Sequence, residues 1–388
     1  MSIHILVDEN VPLANEAFAA YGTVETCAGR SIDAARVRNA DALVVRSVTR
    51  IDRDLLAGSR VRFVGTATIG TDHVDRDWLA ARGIAFAAAP GSNARSVAEY
   101  VVAALLEVET RSGRRFDGAT IGVVGAGHVG SLVLELCPAL GMRVLACDPP
   151  RAECEGKGAF APLERLLDEA DVITLHTPLE RTGAYPTWHR IGARELGRLR
   201  PGALVVNTSR GAVVDGAALR DAILAGRVDA VLDVWEGEPT PDPALIEAVR
   251  IATPHVAGYS LDGKLAGTRM IAEALARFVG APAGPPAALF EARLAETRIE
   301  TRGSGRDALR SAVAAARPLH GDDAAMRALG GLAPEARAAA FDRLRREHPA
   351  RPEFRRFTVV GKPSGAGTDL APSDRLQLRS LGFRCPDG

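Results

Sequence analysis

A chain of 388 residues with 47% hydrophobic and 25% charged residues can bury two or three cores and is too apolar for an intrinsically disordered protein. Basic and acidic residues number 48 each, so no bulk charge recruits nucleic acid or a membrane surface, and neither partner is expected. No apolar run approaches the ~18 residues of a membrane helix, the five cysteines are odd in number without metal-like spacing, and Met1 leads directly into an apolar strand; a reducing, cytoplasmic setting is expected.

Apolar segments alternate with helical periodicity from the start. Strands are expected at Ile3 to Val7, Ala42 to Val45, Val61 to Gly65 and Ile84 to Ala87, separated by segments such as Leu13 to Ala20; this alternation implies βαβ units around a mostly parallel sheet. A longer helix from Arg95 to about Glu109 places Val97, Tyr100, Val101, Ala104, Leu105 and Val108 at helical spacing. After Gly113 to Gly118 the alternation restarts with strands Thr120 to Val124, Arg143 to Cys147, Val172 to Leu175, Leu204 to Asn207 and Ala230 to Asp233. This second set reads as a nucleotide-binding domain inserted into the first, to which the helix Leu261 to Val279 returns. Beyond the linker-like Ala281 to Pro286 the chain turns arginine-rich, with 18 basic and 13 acidic residues from Pro286 onward. Helices are expected there at Arg306 to Ala316, Ala324 to Leu329 and Pro334 to Glu347, then a strand near Phe357 to Val360 and a loosely ordered end rich in Gly, Pro and Ser.

The expected fold is therefore α/β: two doubly wound, Rossmann-like parallel-sheet domains plus a C-terminal α+β domain. The divisions fall at 1–94 with 259–285, 95–258, and 286–388.

Gly125-Ala126-Gly127-His128-Val129-Gly130 follows a strand and opens a helix running to about Leu140. With 39 glycines in the chain the bare spacing is weak, and its place between strand and helix gives it meaning. Such glycines permit a tight turn and let a pyrophosphate approach backbone N–H groups at the positive end of a helix dipole. Asp148 ends the next strand, where a carboxylate accepts from adenosine ribose hydroxyls and repels a 2′-phosphate, favouring NAD over NADP. Arg151, just beyond it, argues the reverse.

A second constellation lies downstream: Asn207-Thr-Ser-Arg210-Gly211, Asp233-Val-Trp-Glu-Gly-Glu238-Pro239 and Thr253-Pro254-His255-Val-Ala-Gly258. Arg210 and His255 each follow a strand, at the carboxyl ends where open α/β sheets bind ligands. Singly, each reads as a surface or capping residue. Together, behind a dinucleotide motif, they fit oxidation of a hydroxy acid, which needs a cation for the carboxylate, a base for the hydroxyl proton and a carboxylate to orient that base. Arg210 suits the clamp, His255 the base and Glu238 the orienting group. His73, flanked by Asp72 and Asp75, sits on a turn before a helix, where such residues serve as caps; with no fourth ligand in sight, no metal is expected.

The glycine motif, Thr208-Ser-Arg-Gly-Ala-Val-Val-Asp215 and Thr253-Pro-His-Val-Ala-Gly258 together resemble the D-isomer-specific 2-hydroxyacid dehydrogenases. Gly65-Thr-Ala-Thr68-Ile-Gly-Thr-Asp-His73, His176-Thr177-Pro-Leu with Gly183-Ala-Tyr-Pro-Thr-Trp-His189, and Asp233 to Pro239 resemble the branch that oxidises 4-phospho-D-erythronate. Phe341 to Phe354 is similar to that branch's C-terminal dimerisation segment, with Pro352 where a second arginine usually stands. The resemblance implies catalytic roles for Arg210, Glu238 and His255, in a cleft between the first two domains. It also implies NAD contacts at the glycine loop, Asp148, Thr177, Asp233 and Gly258, substrate contacts at Ser47, Thr68 and Tyr259, and a homodimer. Ser47 and Thr68 equally suit caps of local turns. For the substrate phosphate, Arg46 at a strand's carboxyl end is the local candidate, with Arg351 delivered from a partner as a second. Two rivals stay open: another phosphorylated hydroxy acid such as 3-phosphoglycerate as substrate, and a non-enzymatic NAD sensor.

Overall fold

The computed structural model describes residues 3–361 and 370–386; most of the stretch expected to be loosely ordered, 362–369, lies outside them. The described residues form two compact units, 1–93 with 260–295, and 94–259 with 296–388.

In the first unit five parallel strands, β1 (Ile3–Asp8), β2 (Gly22–Cys27), β3 (Ala42–Val45), β4 (Phe63–Thr66) and β5 (Ala85–Ala88), lie in the order β2-β1-β3-β4-β5. The two-residue period sorts side chains between two cores. Ile5, Val7, Ala42, Val44 and Phe63 pack with Leu265, Ile271 and Leu275 of the helix Leu261–Val279; Leu6, Leu43, Val45 and Val64 pack with Val37, Leu56 and Leu79 on the other face. The returning helix lies close on β4: a Cβ on Gly65 would come 2.4 Å from Ile271 Cγ2. β2 escapes the sequence reading because it is an edge strand with Glu25 and two threonines exposed or half-exposed, which leaves no apolar run.

The second unit holds six parallel strands, β6 (Thr120–Val124), β7 (Arg143–Cys147), β8 (Val172–Leu175), β9 (Ala203–Asn207), β10 (Val228–Leu232) and β11 (Ile251–Ala252), in the order β11-β10-β9-β8-β6-β7. The order reverses between β6 and β8, the crevice where open α/β sheets take ligands. The helix opened by the glycine motif is α-helical only over His128–Leu136 and tightens to a 3₁₀ turn over Cys137–Leu140, where Pro138 has no N–H to continue it.

The helix Ala94–Ser112 is buried nearly all round, so it needs cover on two sides. One side is the sheet. The other is supplied by the C-terminal segment: Ala308, Leu309, Val313, Phe354, Val359, Leu378 and Phe383 belong to the same buried cluster as Val97, Val101, Leu105, Ile121 and Val123. The described residues beyond 295 thus share the core of the second unit, with which they group. Beside the helices they carry a small parallel pair, β12 (Thr297–Thr301) and β13 (Phe357–Gly361). Glu109, buried at 1% exposure, ties this packing together by accepting from Arg306 at 2.6 Å and Arg310 at 3.1 Å.

Candidate active site

The glycine loop has the shape a dinucleotide requires. Gly125 adopts φ +87°, and a Cβ there would meet the His176 carbonyl oxygen at 2.8 Å. A Cβ on Gly130 would lie 1.9 Å from the Gly125 oxygen, so helix and strand pack more closely than any other residue allows. Around Gly127, in contrast, nothing lies within 4 Å of such an atom, which leaves backbone approach open at the start of the helix, where His128 is exposed and Val129 half-buried. Across the switch point, just after β8, the Thr177 hydroxyl is buried with no hydrogen-bond partner among the described residues, an orphan that a bound cofactor would satisfy. These features fit NAD.

Asp148 caps the helix Pro149–Glu155: one oxygen accepts from Arg151 N at 3.1 Å, the other from Ala126 N at 2.8 Å in the glycine loop. Arg151 is committed to Glu155 at 2.8 Å and to the Ala126 carbonyl oxygen. Asp233 is buried at 1% exposure and uses both oxygens on one loop, accepting from Thr253 Oγ1 (2.6 Å), Val256 N (2.8 Å) and Ala257 N (2.9 Å). It thereby sets the backbone around His255 and Gly258. His176 bonds Thr174 and Thr208 hydroxyls at 2.9 and 3.3 Å, and burial lowers its pKa to about 3, so it is a neutral spacer.

Arg210, Glu238 and His255 follow the adjacent strands β9, β10 and β11. A Cβ on Gly211 would come 1.9 Å from the Trp235 carbonyl carbon, so the Arg210 loop lies flat against the loop that carries Glu238. Arg210 is half-buried and donates to the Ser209 carbonyl oxygen at 2.8 Å. His255 stands in the left-handed region at φ +59°, its N–H bonded to the Asp233 carbonyl oxygen at 2.7 Å. That conformation directs Nδ1 to Glu238 Oε2 at 2.8 Å, while Glu238 Oε1 accepts from Trp235 N at 2.9 Å. Burial alone would raise the Glu238 pKa, but the charge and hydrogen bond of His255, the Arg345 guanidinium and the Trp235 N–H hold it below the ordinary carboxylate value.

Arg345 escapes sequence reading, as one arginine in an arginine-rich helix. Its Nη1 lies 3.7 Å from Glu238 Oε2, and it hydrogen-bonds Tyr259, whose ring meets His348 edge-on at 5.8 Å. Arg351, in contrast, is spent at home: it is 9% exposed and donates to Asp322, His348 and the Pro318 carbonyl oxygen. The chain needs that arginine inside, which removes it as a group to be offered to a partner.

In the first unit Arg46 and Ser47 follow β3, beside the switch between β1 and β3, and Thr68 follows β4. Ser47 is exposed and Arg46 half-buried. The Thr68 hydroxyl is engaged locally, with Thr66 Oγ1 at 2.7 Å and the Gly70 carbonyl oxygen at 2.9 Å. His73 Nε2 meets Thr66 at 3.0 Å and Asp75 caps the helix Arg76–Ala81. Lys264 is the second group the sequence reading overlooks, although a lone lysine among arginines was its signal. Its pKa is lowered to about 8 by burial and by the neighbouring charge of Arg46, so two cations converge near the ends of β3 and β4.

A profile of the D-isomer specific 2-hydroxyacid dehydrogenase NAD binding domain matches residues 84–257. The chain is 48% identical to an erythronate-4-phosphate dehydrogenase of Azotobacter vinelandii over 98% of its own length and 99% of the relative's. It is 47% identical to one of Salinibacter ruber over 97% and 99%. A D-lactate dehydrogenase from Aquifex aeolicus, solved with NAD and lactic acid, is 25% identical with a TM-score of 0.61, covering 71% of this chain and 95% of that one. The cofactor is NAD. Among the described residues no helix is long and apolar enough to cross a membrane. The chain belongs to the erythronate-4-phosphate dehydrogenase family, a branch of the D-isomer-specific 2-hydroxyacid dehydrogenases.

Proposed function

We propose that the chain oxidises the C2 hydroxyl of 4-phospho-D-erythronate to a ketone, as a step of vitamin B6 biosynthesis. The observation that carries the reading is the 2.8 Å His255–Glu238 contact in a unit that also builds the glycine cradle. When bound, NAD accepts the hydride that leaves C2. Glu238 holds the proton of His255 on Nδ1, leaving the Nε2 lone pair to take the proton of the C2 hydroxyl. Glu238 then stabilises the imidazolium. Arg210 clamps the substrate carboxylate, as a planar fork suits a planar acid. Tyr259, Ser47 and Thr68 contact the substrate, and Arg46 with Lys264 meets its phosphate dianion. The glycine loop from Gly125 to Gly130, Asp148, Thr177, Asp233 and Gly258 shape the NAD site, with Asp233 acting through the loop it binds.

The test is a panel of 4-phosphoerythronate, 3-phosphoglycerate and unphosphorylated erythronate, read at the absorbance of reduced nicotinamide, with a 2-oxo acid present in parallel as electron acceptor. Preference for the first substrate is expected. No turnover of any phosphorylated hydroxy acid would leave an NAD sensor as the better reading.

We also infer a homodimer through the C-terminal segment. Supporting it are the resemblance of that segment and the apolar Leu332 and Leu376, exposed at 37% and 68%; light scattering of the full chain at micromolar concentration tests it. The cytoplasm is the inferred location, supported by five free cysteines and tested by fractionation.

A further inference from the structure

The helix Pro334–Arg346 brings a cation to the rear of the His255–Glu238 pair. Arg345 Nη1 lies 3.7 Å from the same Glu238 oxygen that accepts from His255 at 2.8 Å. Its guanidinium also hydrogen-bonds Tyr259 and sits 6.0 Å above the Phe341 ring. Only 17% of the side chain is exposed, and its Nε has no hydrogen-bond partner among the described residues. A cation so poorly hydrated is costly unless an anion repays it. Glu238 is that anion, and so the same carboxylate oxygen faces both the Arg345 guanidinium and the His255 imidazole.

We propose that Arg345 is a positioning residue for the reaction: it pins Glu238 and the Tyr259 hydroxyl in register and competes with His255 for the negative charge of Glu238. The idea rests on the reading of His255 as the base. Its chemistry follows from sharing. A carboxylate that faced His255 alone would hold the imidazolium proton more tightly, whereas one already half-neutralised orients the ring without trapping the proton. The charged and titratable groups facing Glu238 are His255 from the loop after β11 and Arg345 from the C-terminal helix. Asp233, Tyr259 and His348 stand behind them. Arg345 is the one permanent cation in this set, so the position of the pair's protonation depends on it.

The experiment is the pH profile of kcat/KM for the NAD-loaded full chain, in wild type, Arg345→Gln, Arg345→Lys and Tyr259→Phe, with folding checked by near-ultraviolet circular dichroism. In Arg345→Gln the acid limb is expected to move up by about one pH unit, with kcat reduced roughly tenfold to a hundredfold. Arg345→Lys should return the limb toward the wild-type pH, and Tyr259→Phe should leave it in place while lowering the rate. A limb that stays put in a folded Arg345→Gln, or that moves equally in Arg345→Lys or Tyr259→Phe, overturns the proposal. Should Arg345→Gln not fold, the Lys and Phe variants still decide: a shifted limb in either speaks against charge as the agent. Residual activity of His255→Ala separates the two readings. If it keeps the wild-type acid limb, the base assignment itself fails; if it loses the limb while Arg345→Gln leaves it unmoved, only the role of Arg345 fails.

Discussion

Arg317 donates from Nη2 to the carbonyl oxygen of Ala257 at 2.7 Å, two positions beyond His255. The same guanidinium reaches the Val256 carbonyl oxygen and Ser96 Oγ, each at 3.1 Å. Burial, with Arg351 nearby, pushes its pKa down to about 10, yet it remains charged at neutral pH. Removing it as Arg317→Met leaves buried acceptors unpaired, which costs about 3 kcal/mol. Urea denaturation should show the lowered midpoint, and kcat should fall because the loop that fixes His255 loses its brace.

His255→Ala and Glu238→Gln are expected to lose activity unequally. Loss of the base should cost about a hundredfold to ten-thousandfold in kcat; Glu238→Gln, which keeps the shape and one acceptor, should cost less. Steady-state kinetics on folded variants checks this, and near-wild-type turnover in His255→Ala would falsify the proposed mechanism.

For the phosphate, Arg46→Ala and Lys264→Met should each raise KM for 4-phosphoerythronate about tenfold or more while hardly changing the slow oxidation of unphosphorylated erythronate, since only the former loses a charge-assisted contact. Lys264 adds a pH signature. With its pKa lowered to about 8, it is charged below that pH and neutral above it, so kcat/KM for the phosphorylated substrate should decline as pH rises through about 8. In Lys264→Arg that decline should vanish.

Asp148→Ala should narrow the preference for NAD over NADP if Asp148 sets the choice as proposed, because Arg151 is already paired with Glu155 and a carboxylate at that strand end repels a 2′-phosphate. Ratios of kcat/KM for the two cofactors measure it. A wild-type preference for NADP would reassign the choice to Arg151.

Glu99 is buried at 1% exposure and its pKa is raised to about 8, by burial first and then by Glu353, against the pull of Arg95 and the Phe354 N–H. A carboxyl raised in the folded state contributes stability that is complete below its ordinary value of 4.5 and is lost as pH rises through about 8. Stability should therefore decline between those limits. Glu99→Gln should flatten the decline, as thermal unfolding at stepped pH would record.

Much of this was legible in the residues because strand periodicity and helix capping are local. β3 and β7 lie where four apolar residues run together, β6 and β8 where one glycine or threonine interrupts a short apolar run, and the helix Leu261–Val279 begins at the Ser260 cap and ends at Gly280 in the left-handed region. The places of Arg210, Glu238, His255 and the glycine loop were readable for the same reason, since each follows its own strand end. What sequence could not expose is set by long-range packing. Arg345 reaches Glu238 across more than a hundred residues of chain, and Lys264 meets Arg46 only because the helix Leu261–Val279 lies on β4 through Gly65. The cover on the helix Ala94–Ser112 was hidden for a similar cause: its periodicity shows one apolar face, and nothing local says that Leu309, Val313, Phe354, Leu378 and Phe383 will pack in the same cluster.

That shared core has a consequence for biogenesis. Phe354, Val359, Leu378 and Phe383 complete the cluster that contains Ile121 and Val123 beneath the glycine loop, so the nucleotide-binding unit remains unfinished on the ribosome until Phe383 has been added. The first unit needs residues only to 295 and can consolidate earlier. A premature stop between codons 354 and 383 would therefore damage the unit that carries the glycine loop, far in sequence from Gly125 to Gly130.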